Sequence, residues 1–377
     1  MKTRDTLLNQ EIPVIVINVI LGVATINLPS RLARSAGPDG IIAFIAASCI
    51  ALIAAFLIVC LVMRFPDQGF AEYSPKLVGV IPGFILNILL TMYFLYGTAV
   101  VLRTFSDTAK VFLLPRTPLE VIMISMLFTA AVLARNGLQP IARSCQIILF
   151  LFFVPLLLLP FFISIFDFGE FLPLFQTDFH SMMKAAIGSI FALTGAEVLL
   201  VIGSHVHIKR GFMRLTLLGV LTAAALTLLI VSLTFGSLSV EQTAKLQDPI
   251  FEMIKYLPVP VLFIERVDLF IFGIWIVLAY STILILLFTL SHHLAETFKV
   301  DSSKNFVIPA AVAIYYLAKI PVNDIEIERF GSFFNIGWLI LVFGIVPLFL
   351  LLSYIRKQGQ PLLAKSEKKE KKRKANP

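Results

Sequence analysis

The sequence predicts an all-α membrane protein of about ten transmembrane helices, arranged as two five-helix halves whose first helices, 1 and 6 of the chain, are broken. Composition is the first reason: 58% of the 377 residues are hydrophobic, only 14% are charged and 34 are Phe, with a mean hydropathy of +0.93. The second is length. A spanning helix needs about 20 apolar residues, and runs of that kind recur near 11–31, 40–63, 83–105, 118–135, 144–166, 184–203, 213–236, 264–294, 305–320 and 334–355. The third is pattern: the runs are continuous in Leu, Ile and Phe and do not alternate, so helices rather than barrel strands satisfy the backbone.

The first run follows a mixed-charge stretch, MKTRDTLLNQE, and is interrupted by Asn18, Gly22, Thr25 and Asn27 ahead of Pro29. A signal peptide has an unbroken apolar core, so this is read as a retained helix. The second and fifth runs hold Cys49, Cys60 and Cys145, too dispersed for a disulfide framework or a metal motif. The third carries Tyr93, Tyr96, Gly97 and Val100 within about a turn of one another. The sixth, within Met183–Gly203, has Thr194 and Gly195 at its middle and Glu197 just beyond, and the eighth supplies Tyr280, Ser281 and Thr282. One polytopic domain, 1–356, is expected, with repeat halves near 11–166 and 184–356 and a basic tail at 357–377.

An even number of spans places both termini on one side, and the tail is the most basic part of the chain, so that side is expected to be cytoplasmic. Residues 365–377 are charged and lack an apolar face, which predicts disorder. Such a cluster beside a membrane helix is a topology signal and an anionic-lipid anchor. No aromatic residue interleaves it for base stacking, so nucleic acid is not expected as a partner.

Function is expected where the helices break. Interruptions at corresponding positions of two halves mark a midplane site of transporter type. Unwound backbone at Gly22, Val23, Ala24 and Thr25 and at Thr194 and Gly195 would offer amides and half-helix ends to a carboxylate, such as that of a free amino acid. Tyr93, Tyr96, Gly97, Val100, Tyr280, Ser281 and Thr282 would line the remaining walls. An ionisable side chain such as Glu197 costs about 2.5–3.5 kcal/mol inside a membrane, so it either serves the site or caps and pairs locally. His205 and His207 are two residues apart and fall on different helix faces, with no third ligand nearby, so solvated histidines and no metal or cofactor are expected. No nucleophile, base and orienting group recur at catalytic spacing, which argues against an enzyme.

Four short motifs occur in order: LPRTP at Leu114–Pro118, GAE at Gly195–Glu197, DPIFEMIKYL at Asp248–Leu257, and ERVD at Glu265–Asp268 leading to Trp275. With them the chain resembles the amino acid, polyamine and organocation (APC) transporter superfamily. More narrowly, from about Asp5 to Arg356, it resembles the permease-like B subunit of bacterial spore germinant receptors. The resemblance implies a LeuT/APC-type inverted repeat and a sensing subunit in the spore inner membrane. Such a subunit binds a nutrient, often an amino acid, and works with A and C subunits to trigger germination. It puts the ligand pocket on Gly22 to Thr25, Tyr96, Val100, Phe191 to Gly195 and Thr282, and makes Glu197, Glu265 and Arg266 structural or gating residues. Sodium-driven relatives use first-span carbonyls and paired eighth-span hydroxyls, a possibility Ser281 and Thr282 leave open. Some proton-driven relatives place a Lys in the fifth span; SCQIILFLFFVPLLLLPFFISIF has none, which favours sensing over concentrative uptake and leaves Glu197 as the candidate proton carrier. The alternative reading is an amino-acid permease of the cell membrane.

Overall fold

Helix is the regular backbone that a chain this apolar can bury without orphaned amides. The one extended pairing among the described residues is an isolated parallel bridge between Leu7 and Val206. The structure is a computed structural model that describes residues 7–22, 26–206, 211–257 and 267–359.

The first run is divided into α1 (Glu11–Leu21) and α2 (Leu28–Ala36), the latter started by Pro29, whose missing N–H costs nothing in a first turn. Gly37, at φ 53°, turns the chain into α3 (Gly40–Arg64). A short helix that the hydropathy pattern does not predict, α4 (Phe70–Val78), packs against α5 (Val80–Phe112) across Gly79, at φ 100°. At 33 residues α5 outruns its expected 83–105 at both ends. Then come α6 (Leu119–Ala134) and α7 (Leu138–Phe152), which tightens into 3-10 turns over Val154–Leu158 and ends in α8 (Leu159–Phe162). Pro155 lies in that tightened stretch and Pro160 in the first turn of α8, and each removes a donor a regular helix would use.

The sixth run starts at α9 (Phe179–Ser189), where the Asp178 side chain accepts the Ser181 amide. Those bonds from Ser181 hold the Asp178 carboxyl below the usual carboxylate range. The helix stops at Thr194 and Gly195 and resumes through Ala196–Val198 into α10 (Leu199–Ile202), with a 50° bend between the two parts. After α11 (Phe212–Leu238), two short helices, α12 (Val240–Lys245) and α13 (Pro249–Lys255), precede α14 (Val267–Thr297), α15 (Lys304–Ala318) and α16 (Asp324–Leu339). A π-helical turn over Ile340–Ile345 joins α16 to α17 (Val346–Ile355).

Among the described residues six helical stretches are long and apolar enough to cross a membrane, or seven when the bent pair around Gly195 counts as one span; α1, α6 and α15 are shorter apolar helices. Together they fall on all ten predicted runs. Of the expected basic tail, residues 357–359 turn back on α3, with Gly359 against the Arg64 side chain, and 360–377 lie outside the described residues. Arg64 is buried, donates to the Ser353 hydroxyl and carbonyl oxygens, and lies 3.8 Å over the Tyr354 ring, so it joins the end of the second span to the end of the tenth.

Polar side chains join α1 to the body of the bundle. The Asn18 amide donates to the Cys145 carbonyl of α7 at 3.1 Å and accepts from the Ser281 hydroxyl of α14 at 2.9 Å. One turn on, α1 ends at Gly22, where a methyl group would overlap the Thr282 hydroxyl and sit 2.8 Å from the Leu278 carbonyl oxygen. Backbone cannot yield as a side chain can, so Gly22→Ala is expected to lower the unfolding temperature of the detergent-purified protein. An unchanged unfolding temperature for Gly22→Ala alone would mean that α1 and α14 are not in this contact.

Candidate ligand site at the broken helices

The break in the sixth span is built by Gly195. Its φ of 146° is open to glycine, and a Cβ there would lie 2.8 Å from Val19 Cγ1, so the break in the sixth span packs against the last turn of α1. Breaking a helix frees amides, and the Gly195 N–H is met by the carboxylate two residues on, donating to Glu197 Oε2 at 2.7 Å. The same buried carboxylate accepts from the Tyr93 hydroxyl at 2.8 Å on Oε1 and from the Trp338 indole N–H at 3.2 Å on Oε2. Glu197 therefore ties the broken span to the third and tenth spans. Of the two readings open for it, local capping with pairing is the one this geometry supports.

An aromatic layer lies against that carboxylate. The Tyr93 ring stacks on Phe334 at 4.7 Å between centroids, and Phe191 meets Phe334 edge-on at 5.5 Å. Gly97 is small because Phe334 presses on it. One turn along α5, Tyr96 stacks on Phe330 at 5.1 Å and donates its hydroxyl to the Phe330 carbonyl at 3.1 Å. The face of α16 thus covers that of α5, and buried Asn335 keeps a side-chain carbonyl oxygen with no partner among the described residues.

On the other wall the Thr282 hydroxyl donates to the Asn18 carbonyl at 2.9 Å and lies 3.4 Å from that of Val19, satisfying acceptors that the end of α1 leaves free. Ser281 is turned to the Asn18 side chain and the Leu278 carbonyl. The eighth-span hydroxyl pair is therefore engaged with the first span directly.

Cavities lie at the two ends of the broken sixth span. Before the break, a cavity of about 410 Å³ is lined by Arg31, Arg34, Lys184 and Glu328, and Arg31 also donates to the Gly188 carbonyl at 3.1 Å. After it, a cavity of about 820 Å³ is lined by Glu72, Lys76, His205, His292 and Glu296. Glu197 and the aromatic layer stand between them.

Of the residues singled out from sequence, Gly22, Tyr93, Phe191, Thr194, Gly195, Ser281 and Thr282 gather around the two breaks. Thr194 is buried with its hydroxyl on the Phe191 carbonyl, and Val100 is buried two turns along α5 from Tyr93. Val23, Ala24, Thr25, Glu265 and Arg266 lie outside the described residues, as does His207. Tyr280 does not line the site: its hydroxyl reaches the Thr129 carbonyl of α6, because neighbouring helix positions point about 100° apart. Of the histidines, His205 lies edge-on to His292 and both line the larger cavity, His292 is 3.2 Å from Glu296, and His293 is buried against the Asn87 carbonyl. Among the described residues no group of three His, Cys, Asp or Glu is placed to hold a metal ion. Sequence reasoning missed Trp338, Phe334 and Asn18 as site residues. Asn18 was visible as an interruption of its run, and Trp338, one of two tryptophans, follows Asn335 and Gly337 in the tenth.

A family model described as spore germination protein matches residues 6–326. The chain belongs to the spore germination protein family. Within it, the chain is similar to spore germination protein YndE of Bacillus subtilis, 25% identical over 92% of this chain and 96% of that protein. It is also similar to spore germination protein A2 of the same organism, 25% identical over 89% and 92%, and to its spore germination protein B2, 22% identical over 95% and 98%. In three dimensions it is similar to Mhp1, a nucleobase-cation-symport-1 family transporter in a closed conformation with bromovinylhydantoin bound. That match has a TM-score of 0.63 and 14% identity, and covers 92% of this chain and 80% of Mhp1. The fold is accordingly the LeuT-type transporter fold, with its five-plus-five inverted repeat. This member of the family is an integral membrane protein, permease-like and related to germination.

Removing one donor from a buried network costs about 1–3 kcal/mol when an acceptor is left unmet. Tyr93→Phe is expected to destabilise by that order in thermal unfolding of the purified protein. Glu197→Ala is expected to cost more, since the Gly195, Tyr93 and Trp338 donors all lose their acceptor. Wild-type stability in Glu197→Ala would show that the carboxylate does not hold the three spans together.

Proposed function

We propose that the chain is the nutrient-sensing, permease-like subunit of a spore germination receptor, and that it binds a free amino acid between the broken first and sixth helices. The observation that carries this reading is the packing of the sixth-span break at Gly195 and Glu197 against Val19 in the last turn of α1, beside Tyr93, Phe191 and Phe334. Backbone groups freed at such breaks recognise a carboxylate and an ammonium together, which suits a zwitterion. The Arg31, Arg34 and Lys184 cavity before the break would draw the carboxylate end inward, by long-range attraction. Family membership supports the link to germination. Placement in the spore inner membrane with both termini cytoplasmic, and partnership with A and C subunits, belong to the same proposal.

Sensing requires that a ligand favour one of two arrangements of the protein. Here the Glu197 network ties together the spans that would have to move. The second reading is an amino-acid permease, favoured by the likeness of the whole fold to a transporter.

Thermal unfolding of the purified chain against a panel of free amino acids tests the proposal, because a ligand stabilises by RT ln(1 + [L]/Kd). One or a few amino acids are expected to raise the unfolding temperature. That shift should be reduced in Phe191→Ala and absent in Gly195→Trp, provided the latter still unfolds cooperatively. No shift with any amino acid overturns the ligand assignment. Uptake of a stabilising amino acid into proteoliposomes holding this chain alone would favour the permease over the sensor.

A further inference from the structure

The cavity of about 410 Å³ before the break in the sixth span carries more positive charge than its own walls balance. Arg31 and Arg34 line it from α2, Lys184 from α9, and Glu328 of α16 is the one carboxylate around it among the described residues. No ion pair joins Glu328 to any of the three cations. A guanidinium has five N–H donors. Arg31 gives one to the Gly188 carbonyl, which is itself on the wall, and Arg34 gives two to Ser30, so both keep donors to spare. Arg31 and Arg34 are three residues apart and therefore neighbours on one face of α2, where like charges repel. Inside a hollow walled by protein such a surplus is screened less than on an open surface, and its field is focused on whatever enters. Beyond Arg34 and Glu328, which line both, the adjoining cavity of about 440 Å³ adds Asp107, Lys110 and Asp248, so the surplus is confined to the first of the two.

We propose that this cavity is a binding site in its own right for a small dicarboxylate, held between the arginines of α2 and the lysine of α9. The charge sets the class. Three cations against one carboxylate leave a surplus of two positive charges, which a dianion cancels and a zwitterion of zero net charge does not. Their placement sets the shape: the cations stand on two different helices, so an anion with a carboxylate at each end reaches both walls, whereas a single phosphate group offers its charge at one point. Arginine suits the first wall because its planar fork matches a carboxylate in two parallel hydrogen bonds. Room is sufficient, since an apolar cavity of about 150 Å³ already takes benzene. Glu328 opposes an anion from the third wall and limits how tightly one is held. α2 follows the break in the first span and α9 precedes the break in the sixth, so an occupant ties together the half-helices on one side of both breaks. The inference stands whether or not an amino acid binds at the breaks.

Calorimetric titration of the full chain in a neutral detergent tests it, with succinate as probe, at neutral pH and with ionic strength held constant by sodium chloride. Saturable binding of succinate is expected, with acetate, glycine and inorganic phosphate each weaker. Arg34→Gln and Lys184→Gln should each raise the dissociation constant about tenfold, one decade in affinity. Lys245→Gln, which removes an exposed cation outside the cavity, should leave it unchanged. Glu328→Gln should tighten binding, a gain that a damaged or partly unfolded variant would not give. No saturable binding of succinate overturns the proposal. So does acetate or phosphate binding as tightly as succinate, since the site would then read one charged group and not two. Binding weakened by Glu328→Gln overturns it as well, because the anion would then lie elsewhere.

Discussion

A carboxylate inside an apolar bundle must have its lone pairs met, and Glu197 meets that requirement by drawing three donors from three different parts of the chain. The amide comes from the break it sits beside, the hydroxyl from the third span and the indole from the tenth. Because the fourth partner of such a group is never bulk water here, the positions of α5 and α16 are coupled to the geometry at Gly195. Hydrogen bonds to charged groups are stronger than those between neutral ones, and so are the penalties for losing them. The hydroxyl that reaches Glu197 places the Tyr93 ring beside the tenth span, where it stacks on Phe334, and one turn on Tyr96 stacks on Phe330.

The break on the first span is handled by the opposite device. Among the described residues no carboxylate meets the end of α1; the Thr282 hydroxyl donates to the carbonyls left free there, the Asn18 amide holds α1 to α7, and Gly22 permits the approach of α14. The two breaks therefore differ in cost of rearrangement. Neutral bonds exchange partners cheaply when a new acceptor or donor arrives, whereas the Glu197 network changes only if all three donors are met elsewhere. On the proposed reading, a ligand entering between them would remake contacts first on the α1 side.

The spans were legible in the sequence because a single physical quantity, uninterrupted apolar length, decides them; all ten runs correspond to helices or helix pairs. Breaks were legible where glycine and small polar residues interrupt such a run, as at Gly22 and Thr194–Gly195. α4 was not, because Phe70–Val78 carries Glu72, Lys76 and Pro75 and reads as a loop. Its helix is held by tertiary hydrogen bonds instead: Ser74 to Asn87 at 2.7 Å, and Asn87 back to the Ala71 carbonyl. The site was half legible for a similar reason. Residues that alter the backbone announce themselves locally, while Trp338 and Phe334 act by where a distant span packs, and no local pattern encodes that.

The direction of Tyr280 makes the same point within three consecutive residues. Tyr280, Ser281 and Thr282 were alike in sequence as polar groups at one depth, yet the helix sends the first to α6 and the next two to α1. Depth along a helix is read from hydropathy; azimuth is read from which neighbour each side chain can satisfy. Thr282 has an orphan carbonyl facing it, Ser281 an amide oxygen, and Tyr280 only a backbone carbonyl at 3.3 Å on the periphery. In a bundle whose apolar faces are interchangeable, it is these few polar obligations that fix each helix's rotation. The location of the candidate site is a consequence of them.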